Sequence, residues 1–223
     1  MQIQISKKII FYLSILLLLG TINNKKLFKL NFKKGYNFNI TSLSEFDDSE
    51  IINNLSYLKQ QNLFLLKKDE ILENIQKYDI VKDFYIFKNY PLDLIIKIEK
   101  TKFLAVTKKN GSDFYIGSNG KLIKAESEKS DLPFVFGNIE VIEFLKFKKI
   151  IDGSNFNFNE IQNFYYFKSK RWDIETKDGL IIKLPSNNLE KSFELITNII
   201  KNSNLKNINY LDLRQDNQII LNG

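Results

Sequence analysis

The sequence contains no cysteine and no histidine. Without thiols there is no disulfide, no thiolate nucleophile and no cysteine-based metal site. Without imidazole the commonest general base and the usual zinc ligand are missing as well. Most hydrolase triads and most metalloenzyme sites are therefore closed to this chain. Carboxylates, lysines and hydroxyls remain, so catalysis is made harder rather than forbidden. Arginine is nearly absent too, occurring only as Arg171 and Arg214. The net charge of +7 is carried almost wholly by lysine, and the lysines are scattered without a dense basic run. Asn, Ile, Lys and Phe are abundant while Ala stands only at positions 105 and 125, the signature of A/T-rich coding. The charge therefore reads as composition and not as a nucleic-acid footprint. In a chain that uses lysine by default, each arginine either marks a place where a planar fork matters or falls there by chance.

What is present is a chain of 223 residues, 43% of them hydrophobic, enough for one or two domains with real cores. The apolar run Ile9–Ile22 lies between Lys7-Lys8 and Lys25-Lys26. The 16 residues between Lys8 and Lys25 make about 24 Å of helix, short for a hydrocarbon core of roughly 30 Å unless the flanking lysines snorkel. A cleaved signal peptide and a buried core helix are the competing readings. No small-x-small site follows, since Leu18 stands two before Gly20, and Ser14 is too little for the polar face of a core helix. The expectation is an uncleaved anchor at residues 9–24 behind a short tail. Lys25, Lys26, Lys29, Lys33 and Lys34 outnumber the cations before the span, so the positive-inside rule taken literally would leave the bulk of the chain in the cytoplasm.

Downstream, Leu27–Phe32 alternates as a strand and Gly35 permits a turn. Asp47-Asp48-Ser49-Glu50 has the form of a helix start, followed by Ile51, Ile52, Leu55 and Leu58 at helical spacing. Ile71, Leu72, Ile75 and Tyr78 repeat those offsets. Val81–Phe87 is an aromatic-rich strand, and a turn follows at Tyr90-Pro91. Then Leu92, Leu94, Ile96 and Ile98 alternate with Asp93, Ile95, Lys97 and Glu99, the period of a strand with one buried face. The order β-α-α-β-β suits several small α+β domains.

The second half reads as strands and turns with two helices. Asn110-Gly111 is a hairpin signal between Phe103–Lys108 and Asp113–Ile116. The glycines of Phe114–Gly120 lack phosphate-loop spacing and read as turns. Asn138 precedes a helical pattern at Val141, Ile142 and Leu145, and Asn187-Asn188 precedes another at Leu189, Phe193, Ile196 and Ile200. Strands are expected at Phe164–Ser169, Arg171–Thr176, Leu180–Leu184, Tyr210–Arg214 and Gln218–Leu221. On the Arg171–Thr176 strand, Asp173 and Glu175 share one face and could be taken for an acid/base pair. The plainer reading is a solvent face, with Trp172 and Ile174 turned to the core. Asp212 and Arg214 likewise share a face and can pair.

Several of these stretches together resemble the FtsQ/DivIB cell-division family. They are Tyr90-Pro91 with the alternating strand and Glu99-Lys100, Asp131–Gly137 with its Leu132-Pro133, Arg171-Trp172-Asp173 with Gly179 and Leu184-Pro185, and Tyr210-Leu211-Asp212-Leu213-Arg214. Lys100 stands where the family has Arg, and Phe103-Leu104 where it has Pro-Val. The resemblance implies an α+β protein: a transmembrane helix, a βααββ POTRA domain over 25–100, and a mostly antiparallel β-domain with flanking helices over 101–223. It also implies a non-enzymatic scaffold in the inner membrane at the septum, without cofactor, metal or nucleic acid, its bulk periplasmic. The implied partners are FtsB-like and FtsL-like proteins and other divisome components. They would be bound along the last strand, at Arg214, Gln215, Asp216, Asn217, Gln218, Ile219, Ile220 and Leu221. Gln215 replaces the family's aromatic contact, and the chain ends soon after, at Gly223. The alternatives are a POTRA-bearing export or outer-membrane assembly component, a surface hydrolase using Asp173 and Glu175, and a nucleic-acid binder.

Overall fold

The computed structural model describes residues 6–22, 37–42, 49–90, 93–125, 131–202, 208–215 and 218–222. The chain divides into two units, Met1–Lys77 with Phe84–Ile98, and Tyr78–Asp83 with Glu99–Gly223. The fold is mixed α+β, with a three-stranded sheet and a nine-stranded sheet, each accompanied by helices.

The first unit opens with helix α1 (Lys7–Ile22), 16 residues long, whose side chains from Ile9 to Leu19 are exposed. No helix among the described residues is long and apolar enough to cross a membrane. A three-stranded sheet follows, built from β1 (Asn37–Ser42), β2 (Val81–Asn89) and β3 (Asp93–Lys100) in the order β1-β3-β2. Strand β1 runs parallel to β3, from Asn37 opposite Asp93 to Ser42 opposite Ile98. Central β3 keeps the expected alternation, and Leu94, Ile96 and Ile98 are fully buried. Helix α2 (Ser49–Leu55), a 3₁₀ turn (Ser56–Gln60) and helix α3 (Lys68–Ile75) supply Ile51, Leu55, Leu58, Ile71 and Ile75 to the buried core. Leu72 stays 37% exposed and Tyr78 lies beyond the end of α3, because eight residues carry only one row at this spacing. The strand expected at Leu27–Phe32, and Asp47-Asp48 with Pro91 and Leu92, lie outside the described residues. The strand that pairs with β3 on the side away from β2 is Asn37–Ser42, in which only Phe38 and Ile40 alternate with polar residues.

The second unit is one nine-stranded sheet. Its strands are β4 (Phe103–Lys109), β5 (Ser112–Gly117), β6 (Leu122–Lys124), β7 (Phe134–Phe136), β8 (Ile161–Tyr166), β9 (Trp172–Thr176), β10 (Ile181–Lys183), β11 (Tyr210–Asp212) and β12 (Ile220–Asn222). They lie in the order β12-β11-β10-β9-β8-β7-β4-β5-β6. Asn110 and Gly111 both take positive φ, 50° and 81°, as the primed hairpin turn between β4 and β5 requires. The parallel pairs β7/β8 and β10/β11 need long crossovers, which helices α4 (Val141–Gly153) and α5 (Leu189–Asn202) provide. Helix α4 starts after Glu140, which is still extended (φ −82°, ψ 133°) and makes no side-chain capping bond, so Asn138 stands before the N-cap position. The β8/β9 hairpin turns over Phe167–Lys170, with Lys170 at φ 61°, so β8 lies three residues earlier than the expected Phe164–Ser169 and β9 starts at Trp172 instead of Arg171. Within this unit the Asn119 amide donates to the carbonyls of Asp79 (2.8 Å) and Val81 (3.0 Å), fixing Tyr78–Asp83 to the β5–β6 turn.

The core of this unit is aromatic. Trp172 stacks on Phe147 of α4 with centroids 4.5 Å apart and planes 3° from parallel, and meets Phe164 edge-on at 6.2 Å. Trp172 is 4% exposed, and Ile174, Ile182, Leu211, Phe193 and Ile196 continue the cluster. Trp172→Ala is expected to destabilise the protein by about 3–5 kcal/mol, the cost of removing a large aromatic from a packed core. Thermal melting of the full chain checks this. An unchanged melting temperature with lost partner binding would mark Trp172 as an exposed contact instead.

Candidate functional site

One face of β8–β11 packs on the helices. Cross-strand register then fixes the other face residue by residue. Asp173 of β9 lies opposite Lys183 of β10, and Lys183 lies beside Asp212 of β11. On the far side Tyr165 of β8 is opposite Asp173, and Ile220 of β12 is opposite Asp212. A row Tyr165–Asp173–Lys183–Asp212–Ile220 thus crosses five strands. The neighbouring row holds Asn163, Glu175, Ile181, Tyr210 and Asn222.

The charges in these rows are paired. Arg214 holds Asp212 through Nε at 2.9 Å to each carboxylate oxygen, through Nη2 at 2.5 Å, and through its backbone N–H at 3.0 Å. This clamp keeps the Asp212 carboxyl below the usual carboxylate range, against the opposing effect of burial, and raises Arg214. Arg171 donates through Nε to Asp173 at 3.2 Å, while its guanidinium lies 4.3 Å over the Phe167 ring. Asp173 differs from Asp212 in that burial outweighs its partners, and its carboxyl is pushed up. The Lys183 ammonium sits 4.4 Å over the Tyr210 ring. Glu175 accepts from the Tyr165 hydroxyl (2.6 Å) and the Asn163 amide (2.9 Å), which hold it low. Burial and this carboxylate push the Tyr165 hydroxyl up to about 12. Asp173 and Glu175 are therefore each committed to neighbours. The solvent face expected for Asp173 is not found, because β9 is a central strand whose residues Trp172, Asp173 and Ile174 are all buried. Among the described residues no group of acidic side chains is placed to hold a metal ion.

The residues expected to bind a partner fall at the sheet's end. Arg214 is exposed and paired as above. Gln215 is exposed in a bend, and Asp216 and Asn217 lie outside the described residues. Gln218 donates its backbone N–H to the Gln215 carbonyl at 3.3 Å, and Ile219 follows it into β12. Strand β12 is shorter than expected, Ile220–Asn222, pairing antiparallel with β11 with Leu221 opposite Leu211. Among the described residues it is the sheet's outer strand on this side. Ile219, Ile220 and Leu221 are 44%, 40% and 48% exposed. Beside them, Leu213, Gln215 and Ile219 line a cavity of about 490 Å³ with Pro185, Ser192 and Leu195 of the α5 side. The sequence did not single out Lys183. The signal was the mirrored pair Arg171-Trp172-Asp173 and Asp212-Leu213-Arg214, which places an arginine two residues from an aspartate twice.

Residues 105–214 match the family model "Cell division protein FtsQ/DivIB, C-terminal", and residues 36–100 match "POTRA domain, FtsQ-type". The cell division protein FtsQ of Rickettsia typhi is 28% identical over 205 residues, covering 86% of this chain and 74% of that protein. FtsQ of Rickettsia prowazekii is 30% identical over 182 residues, covering 77% of this chain and 66% of that one. Among solved structures, the major extracytoplasmic domain of the trans isomer of DivIB from Geobacillus stearothermophilus aligns at 12% identity and a TM-score of 0.34. That alignment covers 47% of this chain and 98% of that one, a likeness too loose for comparing residues.

The pairing at Asp212 carries a pH signature. A carboxyl held low in the folded state stabilises it above the ordinary carboxylate pKa, and that contribution is lost as pH falls through the folded value. Asp173, pushed up, takes its proton earlier in the same descent. Acid titration of the carboxyl carbons by NMR is expected to show Asp173 protonating before Asp212. Asp212→Asn should lose less melting temperature than the parent between neutral pH and about pH 3. Equal losses in both proteins would show that the Arg214 clamp contributes nothing to folding.

Proposed function

The chain belongs to the FtsQ/DivIB family of cell-division proteins, and from that premise we propose that it is a divisome scaffold that receives an FtsB–FtsL-type pair along β12. The observation that carries this reading is the edge itself. A strand with one neighbour presents unpaired N–H and C=O groups along its outer side, and an added strand satisfies them. Three consecutive apolar residues, Ile219 to Leu221, stand 40–48% exposed there, where a solitary edge strand is ordinarily short of apolar surface or guarded by charge. Main-chain pairing supplies affinity, and alternate side chains supply specificity. Arg214, with Asp212 occupying only one edge of its guanidinium, adds a fork for a partner carboxylate. Arg171 stands in the same relation to Asp173.

The scaffold is held in the inner membrane by residues 9–24, with the POTRA domain (25–100) and the β-domain (101–223) on the periplasmic side at the septum. Support comes from α1, which is apolar and exposed all round from Ile9 to Leu19, the form of a helix that seeks lipid. Its 16 residues are short for a span, and Lys7, Lys8, Lys25 and Lys26 can snorkel to the interfaces. No catalytic step belongs to this function. The POTRA domain faces the membrane and further division proteins.

Two measurements test the proposal. Ile220→Pro removes a ladder donor from β12 and blocks an incoming strand with its ring. It should abolish binding of the FtsB-type partner's extracytoplasmic segment, whereas Gln218→Ala should weaken it little, both with melting temperatures near the parent's. Normal binding by a folded Ile220→Pro would move the docking site elsewhere on the β-domain. For topology, a C-terminal reporter that works only in the cytoplasm should be silent. If it is active, the excess of lysines after residue 24 has decided the orientation.

A further inference from the structure

Strand β9 is antiparallel to β10, and β10 is parallel to β11, so β9 and β11 run in opposite directions. Arg171 precedes Asp173 by two residues, and Arg214 follows Asp212 by two. Both arginines therefore step off the Asp173–Lys183–Asp212 row toward the same end of the sheet. They lie two strand spacings apart, about 10 Å. The side chains of the two aspartates are each 8% exposed, while those of Arg171 and Arg214 are 25% and 43% exposed. Each buried carboxylate thus faces one guanidinium that reaches solvent.

The use of the donors is unequal. An arginine has five N–H groups in a rigid fork. Asp212 takes the Nε edge and one Nη2 hydrogen of Arg214, which leaves the Nη1 side directed away from it. Asp173 takes only Nε of Arg171, and the Phe167 ring supports the guanidinium plane from below. Lys183, between the two carboxylates in register, supplies a third positive charge beside those of the two arginines. Its field helps hold Asp212 ionised. A long arginine side chain otherwise samples many rotamers, and ordering it on contact lowers affinity. A lysine on the same strands would lack the second edge, which accounts for the only two arginines of a lysine-rich chain standing here.

We infer that Asp173 and Asp212, balanced by Lys183, are positioning residues that preset Arg171 and Arg214 for contact with the partner. This rests on the reading of Arg214 as a partner contact given above. The aspartates themselves touch no partner. They act by fixing which edge of each guanidinium faces outward.

Because the chain has only two arginines, selective ¹⁵N-arginine labelling of the full chain in detergent gives one Nε–H signal for each. Both signals are expected to be dispersed and slow to exchange with water. Asp212→Asn should release the Arg214 signal to fast exchange and leave that of Arg171 in place, and Asp173→Asn should do the reverse. In the same preparations, affinity for the extracytoplasmic segment of the FtsB-type protein from the same genome should fall roughly three- to tenfold with Asp212→Asn, the cost of reordering one long side chain. In an Arg214→Ala background, Asp212→Asn should weaken binding no further. A loss that persists in that background would make Asp212 a contact or a purely structural residue, and overturn the inference. So would a released Arg214 signal with unchanged affinity. If Arg214→Ala itself binds like the parent, the premise fails at this residue and the inference falls with it. If Arg214→Ala weakens binding while Asp212→Asn does not, the contact stands and only the positioning role is lost. Asp173→Asn, read on the Arg171 signal, repeats the test should Asp212→Asn fail to fold.

Discussion

The stack of Trp172 on Phe147 fixes which face of β9 looks toward the helices. Side chains of a strand alternate, so once Trp172 and Ile174 are inward, Asp173 and Glu175 can only be outward, and a slip of one residue would exchange the two sets. The neighbouring strands inherit this choice through their registers. Ile182 and Leu211 join the core, while Lys183 and Asp212 join the charged row. The polar rows leading to β12 are in this sense a consequence of one aromatic contact on the opposite face.

Much of the fold was legible in local patterns. The alternation of Leu94, Ile96 and Ile98, the Asn110-Gly111 turn and the stripe Phe193–Ile196 each carry their structure within a few residues. The rest was hidden for identifiable reasons. Strand β7 has three residues and is recognised only by its parallel neighbours on both sides. Strand β1 is polar at alternate positions and borrows its place from β3. The burial of Asp173 could not be read from alternation, which shows that a face is polar but not whether neighbouring strands shield it. Lys183 had no local signal of its own, because its meaning arises from two strands that the sequence places before and after it. At the candidate site, Asp212 with Arg214 was readable as a pair. The row that links it to Asp173 and Arg171 required the crossover through α5.

The chain's economy of arginine makes sense in this setting. Lysine serves where a solvated charge suffices, as at Lys146 with Glu143 on α4 or Lys121 with Asp79, contacts of little net weight. Arginine appears where a buried carboxylate must be met by a planar fork while part of that fork stays in solvent. Beside it, β12 combines two features that folded proteins usually keep apart, an open backbone edge and adjacent exposed aliphatics. Under the proposed function, an edge of this kind suits the addition of a partner strand.

Hydrogen exchange of the full chain with and without the FtsB-type partner tests the central claim most directly, since it reads the backbone of β12 itself. The account predicts slowed exchange at the amides of Gln218–Asn222 on binding, with β6 at the opposite end of the sheet unchanged. Binding that leaves the amides of Gln218–Asn222 exchanging at their free rate would contradict it.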